Sequence, residues 1–165
     1  MTAARVRIQT QDFDLKLETQ ALHAQDGGVG AVASFLGTVR GGPHDVQLLE
    51  LEHYPGMTEA AIEAMIDAAH ARFDILGARV VHRVGPLRPT DNIVLVLVSS
   101  RHRHAAFQAC EFLMDYLKTQ APFWKKEHGP EGARWVDARE ADDAALRRWG
   151  LASDNARVGQ PAPQA

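Results

Sequence analysis

The dipeptide Ala121-Pro122 constrains this chain most. Proline has no N–H, and its ring disfavours helical geometry at the residue before it, so a helix running through Met114–Thr119 has to stop near Thr119 or Gln120. An extended segment, Phe123-Trp124-Lys125-Lys126-Glu127, follows at once. Lys118 then falls in the last helical turn, and Lys125 and Lys126 stand just beyond the corner. Cations held on both sides of a rigid corner packed by aromatics suit an anionic substrate. The plain alternative is a solvated helix end, where the macrodipole favours lysine without any function. Adjacent residues of a strand point to opposite faces, so only one of Lys125 and Lys126 can share a pocket with Lys118.

The rest of the chain alternates strands and helices. Val6 and Ile8 alternate with polar residues as a short strand, and a modest helix carries Leu15, Leu17, Ala21 and Leu22. Val29–Val39 reads as a strand buried on both faces, with Gly30 and Gly37 marking bulges or close backbone approach. Val46–Tyr54 places Leu49 and Leu51 opposite Glu50 and Glu52, and the simplest joining of these two strands is a hairpin through Arg40–Asp45. Thr58 is expected to cap a helix reaching Phe73, with Ile62, Met65, Ile66, Ala69 and Phe73 as its apolar stripe and Gly77 as its stop. Ala78–Val84 and Asn92–Ser100 are further strands, and the unbroken apolar run Ile93–Val98 belongs at the centre of a sheet. A helix from about His102 to Lys118 should bury Phe107, Cys110, Met114 and Leu117. Trp124–Glu127 and Arg134–Val136 form a short hairpin, and Asp142–Trp149 a last helix. This order predicts an α+β fold with a mixed, mostly antiparallel sheet and two main helices.

With 165 residues, 45% hydrophobic and 24% charged, the chain can build one core. We expect a domain over residues 1–149 and a disordered tail over 150–165, which is rich in Ala, Pro, Gly and Gln. The net charge of −3 argues against a broad nucleic-acid surface. No apolar run approaches the roughly 18 residues of a membrane span, and Met1–Arg5 lacks a signal-peptide core. A cytoplasmic location is expected. The single cysteine leaves no intrachain disulfide or multi-cysteine metal site.

Three further features bear on chemistry. Arg101-His102-Arg103-His104 lies where a strand gives way to a helix. Cations there oppose the helix dipole by about 0.3–1 kcal/mol each, which a bound anion would relieve; four solvated side chains are the alternative. Arg40 heads a glycine-rich loop that lacks the Lys-Ser/Thr of a phosphate-binding P-loop, so a plain hairpin tip competes with a binding loop. Cys110 lies on an apolar stripe and reads as a buried, inert thiol. His53, His82 and His102 show no metal-ligand spacing.

Several blocks carry a family resemblance: Leu51-Glu52-His53-Tyr54-Pro55-Gly56-Met57, Val81-His82-Arg83-Val84-Gly85, Asp115-Tyr116-Leu117-Lys118-Thr119, Ala121-Pro122-Phe123-Trp124-Lys125, and Glu131-Gly132 with Arg134-Trp135-Val136. Over about Gly30 to Trp149 the chain resembles the large, catalytic subunit of molybdopterin synthase. The resemblance implies an α/β hammerhead fold with an accessory antiparallel subdomain. It implies a sulfurtransferase of molybdenum cofactor biosynthesis that turns cyclic pyranopterin monophosphate into molybdopterin. Two sulfurs would come from the C-terminal Gly-Gly thiocarboxylate of a small ubiquitin-like partner. The implied assembly is a homodimer at the centre of a heterotetramer, with no metal and no cofactor. Matched by motif, the implied catalytic residues are Lys118 and Lys125. The implied substrate-binding residues are Thr38, Val39, Arg40, His102, Arg103, Lys118, Lys125, Lys126 and Glu127. Position 38 departs from the lysine of some members, and the loop after Arg40 is short. A non-enzymatic module that binds a phosphorylated pterin or a ubiquitin-like tail is the rival reading.

Overall fold

The structure is a computed structural model that describes residues 3–42, 46–136 and 140–151. Its first half runs β1 (Val6–Gln9), α1 (Leu15–His23), β2 (Ala31–Thr38), β3 (Leu48–His53) and α2 (Met57–Arg72). Its second half runs β4 (Gly77–Arg83), β5 (Gly85–Leu87), β6 (Asn92–Ser100), α3 (Arg103–Gln120), β7 (Phe123–Gly129), β8 (Gly132–Val136) and α4 (Glu140–Arg148). The strands make two sheets, a main one in the order β1-β4-β6-β2 and an accessory one in the order β5-β3-β7-β8. Only β1 and β4 pair in parallel. The expected α+β fold with an accessory antiparallel sheet therefore stands. No helix among the described residues is long and apolar enough to cross a membrane.

The unbroken apolar run makes β6 a central strand, fully inside between β4 and β2. One face of the main sheet, with Ala33, Val80, Val94, Val96 and Val98, packs against α2 and α3 through Ile62, Ile66, Phe112, Leu113 and Leu117. The other face buries Val81, Leu95 and Leu97 beneath Leu22 of α1. There Glu18 accepts from Arg79 at 2.8 Å and also pairs with Arg7. A small third core of Val39, Leu49, Leu51 and Leu87 joins the accessory sheet to the end of β2.

Several expectations need correction. β2 and β3 do not form a hairpin: β2 pairs with β6, and β3 pairs with β5 and β7. An alternating pattern fixes which face is buried but names no partner, and Leu49 and Leu51 of β3 found their apolar neighbours in Leu87 and Val39 instead. β2 is an edge strand, not one buried on both faces, and Ser34, Phe35 and Leu36 are exposed. The helix after Pro55 is capped at Gly56, whose N–H donates to Glu59 at 2.7 Å. Thr58 lies inside that helix, and its hydroxyl serves tertiary contacts. Phe73, extended at φ −125°, ends α2, so Gly77 opens β4 instead of closing the helix. In α3 the buried stripe is Ala106, Ala109, Cys110, Leu113 and Leu117 with Phe112, whereas Phe107 is 65% exposed because it sits one position out of phase. The short β5 has no counterpart in the expected pattern, since three residues around a proline carry no periodicity. The expected tail falls outside the described residues from position 152 on; Leu151 still packs against the core.

Candidate active site

The corner forms where proline requires it. Ala121 is extended (φ −72°, ψ 130°), and its N–H still reaches the Leu117 carbonyl. The buried Thr58 hydroxyl donates to the Pro122 carbonyl at 3.2 Å and accepts from the Tyr54 N–H at 3.1 Å. These bonds tie α2 to the corner and to the end of β3. Lys118 is exposed in the last turn of α3.

Past the corner, β7 sorts its charges by alternation. Lys125 and Glu127 pair across the ladder with Leu51 and Leu49, both buried, and cross-strand partners point to the same side. Lys125 and Glu127 therefore belong to the inner face of the accessory sheet. Lys126, opposite Glu50, lies on the outer face, where its ammonium stands 5.6 Å from the centre of the Trp135 ring. On that face Trp124 packs on Tyr54, with ring centres 4.5 Å apart, and donates to Glu52 at 2.7 Å. Trp124 and Trp135 thus both make their contacts on the outer face of the accessory sheet.

The charges of Lys118 and Lys125 both act on His82. This side chain comes from β4, lies at the end of the main core, and stacks on Phe123 with ring centres 3.9 Å apart. Its Nδ1 is 2.7 Å from the Arg83 carbonyl, which can only accept, so Nδ1 carries the proton and Nε2 keeps its lone pair. Burial holds the imidazole neutral, and the positive charges of Lys125, Lys118 and His53 push the same way against the Arg83 bond, lowering the pKa to about 3. His53 stands on the far side of Phe123, 6.4 Å between ring centres, and 3.6 Å from Glu59.

A groove of about 610 Å³ runs on from the inner face of the accessory sheet, lined by Thr38, Val39, Arg40, Ile93, Glu127 and Arg134. A register shift between Gly37 and Thr38, close to Ile93, re-aims the strand end that carries the first three. Thr38 and Arg40 are exposed. Val39 is buried; its N–H donates to the Asp91 carbonyl and its own carbonyl accepts from Thr90. It therefore offers a ligand little beyond the second lone pair of its carbonyl. Glu127 pairs with Arg134 at 3.3 Å.

His102 and Arg103 lie elsewhere. They line a separate concavity with Gly30, Arg101, His104 and Phe107. Gly30 lets the backbone pass close to Arg101, since a Cβ there would lie 2.3 Å from the Arg101 carbonyl oxygen. His102 is the N-cap of α3 but makes no side-chain cap, and the first turn holds no acid. Helix rise puts Arg103 about 22 Å from Lys118 along α3, and strand rise puts this end of β2 about 23 Å from Thr38. One chain thus gathers Thr38, Val39, Arg40 and Glu127 in one groove, with Lys125 on the same face of the sheet as Glu127, and leaves His102 and Arg103 in another concavity.

The profile of the family described as MoaE protein matches residues 8–120. The chain belongs to the MoaE family. A molybdopterin synthase catalytic subunit of Ralstonia nicotianae is 59% identical over 153 residues, which is 92% of this chain and 87% of that one. Among solved structures, the MoaE molybdopterin biosynthesis protein of Burkholderia ambifaria superposes with a TM-score of 0.79 at 56% identity, covering 90% of this chain and 99% of its own. Molybdopterin synthase of Staphylococcus aureus gives 0.74 at 30% identity, covering 81% and 98%.

Sequence reasoning weighed His82 only as a metal ligand and gave Arg134 no role in a site. The signal for His82 was available: it occupies the inward phase of a strand otherwise made of Ala78 and Val80. Cys110 is buried, and burial, with Glu111 adding to it, raises its thiol pKa to about 11, which suits packing and not attack. Among the described residues no three His, Cys, Asp or Glu are placed to hold a metal ion.

Proposed function

We propose that the chain is the catalytic subunit of a cytoplasmic molybdopterin synthase. Its substrate would be cyclic pyranopterin monophosphate, and each sulfur would come from the C-terminal thiocarboxylate of a small ubiquitin-like partner. The thiocarboxylate sulfur bonds to a precursor carbon; water then releases the partner's glycine as a carboxylate and leaves the sulfur behind. Two rounds make the dithiolene: in one the carbon–oxygen bond to the phosphate breaks as the carbon–sulfur bond forms, and in the other the displaced carbon-bound oxygen leaves as water. Each departing oxygen needs a proton, and the developing negative charge needs cations. Lys118 and Lys125 supply both, because an ammonium can give up its proton while a guanidinium cannot. Arg40 holds the phosphate with His102 and Arg103, and Glu127 with Arg134 shapes the groove beside them. Lys126 serves the rim from the outer face. The sulfur arrives activated, so the reading calls for no metal or cofactor.

The observation that carries this reading is that the charges of Lys118 and Lys125, from two different parts of the fold, both act on the one buried His82, while Lys125 shares its sheet face with Glu127 of the groove headed by Arg40. His102 and Arg103 are too far from that groove within one chain, and the second copy of the homodimer supplies them: the concavity of one copy faces the lysines of the other. Reconstitution with precursor and thiocarboxylated partner tests the activity, and tight binding without product would support the non-enzymatic module. Mixing tests the shared site. At precursor concentrations far below the raised KM of Arg103→Ala, where that variant and Lys118→Ala each turn over little alone, the two mixed should recover about a quarter of wild-type activity, because half of randomly mixed dimers hold one intact site. No recovery after subunit exchange would place all these residues in one chain's site.

A further inference from the structure

Lys118 and Lys125 stand on different parts of the fold. Lys118 ends α3, which packs on the main sheet, and Lys125 belongs to β7 of the accessory sheet. Their relative position therefore depends on how the two sheets dock. One ring contact crosses that joint close to Lys125. His82 of the main sheet lies flat on Phe123, with planes 19° apart and centres 3.9 Å apart, and Phe123 opens β7 two residues before Lys125. The His82 ring cannot turn freely, because its Nδ1–H is bound to the Arg83 carbonyl and its body is buried. Ile8 and Val94 flank it in the sheet. The ionisable groups that act on it are Lys125 from β7, Lys118 from α3 and His53 from β3.

A histidine suits this place for a physical reason. A flat ring gives the stack, its N–H fixes the ring's rotation, and burial among cations keeps it uncharged. An imidazolium would add a third positive charge beside the two lysines and repel both. We propose that His82 is the positioning residue of the lysine pair: anchored in the main sheet, it carries Phe123 and so sets where β7 delivers Lys125 relative to Lys118. It touches no reacting atom. This inference rests on Lys118 and Lys125 being the reacting pair.

The test uses the full chain with thiocarboxylated partner in single-turnover reactions, with precursor affinity from calorimetry. His82→Leu and Phe123→Leu should each slow turnover about 10-fold, a modest share of what a misplacement of about 1 Å costs, and change precursor Kd less than about 2-fold. The double variant should be no slower than the slower single one, since both remove one contact. His82→Phe keeps the stack and should stay within about 3-fold of wild type. Losses that multiply in the double variant would overturn the proposal, as would wild-type turnover by His82→Leu. So would a loss of about 10-fold in His82→Phe with an unchanged Tm, which also covers the case in which the leucine variants do not fold. Lys118→Ala and Lys125→Ala run alongside: activity retained in them sinks the lysine assignment itself, whereas inactive lysine variants beside a fully active His82→Leu sink only the positioning role.

Discussion

Lowering the pH from 7 to 5 should destabilise the fold through His82, and replacing that ring with phenylalanine should remove this part of the loss. The imidazole of the unfolded chain takes up its proton near pH 6.5, whereas in the fold it does so only near pH 3. Between those values the unfolded state binds one more proton at this site, so stability rises with pH, by up to about 1.4 kcal/mol per unit. The contribution is complete above about pH 6.5 and is lost as the pH falls toward 3. At pH 5 the loss is about 2 kcal/mol, which for a chain of this size lowers Tm by roughly 4–8 °C. The Asn92 bond holds Asp12 below the usual carboxylate range. His70 also has a lowered pKa, from burial and then the charge of Arg5, and adds loss of the same sign. The measured quantity is therefore the difference between wild type and His82→Phe in denaturant unfolding at pH 7, 6 and 5, which leaves His70 common to both. Phenylalanine forfeits the Arg83 bond and costs a constant amount at every pH. The two stability curves should accordingly converge by about 2 kcal/mol on acidification. Parallel curves would show that this ring is already charged, or exposed, in the folded state.

Lys118→Arg keeps the charge but cannot hand over a proton, so single-turnover rates should fall at least ~100-fold with precursor affinity nearly unchanged; near-normal turnover would leave Lys118 as an electrostatic clamp. Cys110→Ala should keep most turnover with thiocarboxylated partner while its Tm drops slightly, since a buried thiol of raised pKa donates no sulfur; an inactive but folded variant would make the cysteine a participant. Arg40→Ala and Arg103→Ala should each raise the KM for precursor at least about 10-fold, on the scale of a lost charge-assisted hydrogen bond, with partner affinity unchanged in calorimetry. Lost partner affinity with normal precursor binding would move both residues to the partner's docking surface.

Where a local rule decides the outcome, the residues were legible in order. Proline at 122 ends α3 at Gln120, the Ile93–Val98 run becomes the central strand, and the phase of Ile62, Met65, Ile66 and Ala69 gives the buried side of α2. The same logic places Cys110 inside and puts Lys125 and Lys126 on opposite faces. It failed where two candidates satisfied one pattern. Phe107 and Phe112 both fit a helical stripe loosely, and only the stacking of Phe112 against Phe73 and Trp149 selects the second. Thr58 is a good cap in isolation, yet its hydroxyl is claimed by Tyr54 and by Pro122, 64 residues away.

The sequence by itself determined the elements and the chemistry they carry: a lysine at a helix end, a lysine just beyond a proline corner, and a basic cluster at a helix start. Each follows from interactions within a few residues, which periodicity and backbone restriction express directly. Tertiary structure alone decided which of these meet. It drew β3 away from β2 and into a second sheet, brought Lys125 and Lys118 to the same buried histidine, and left His102 and Arg103 a helix length away. Strand pairing and sheet docking are settled by burial summed over residues far apart in the chain, and no local pattern of charge or hydrophobicity encodes that sum.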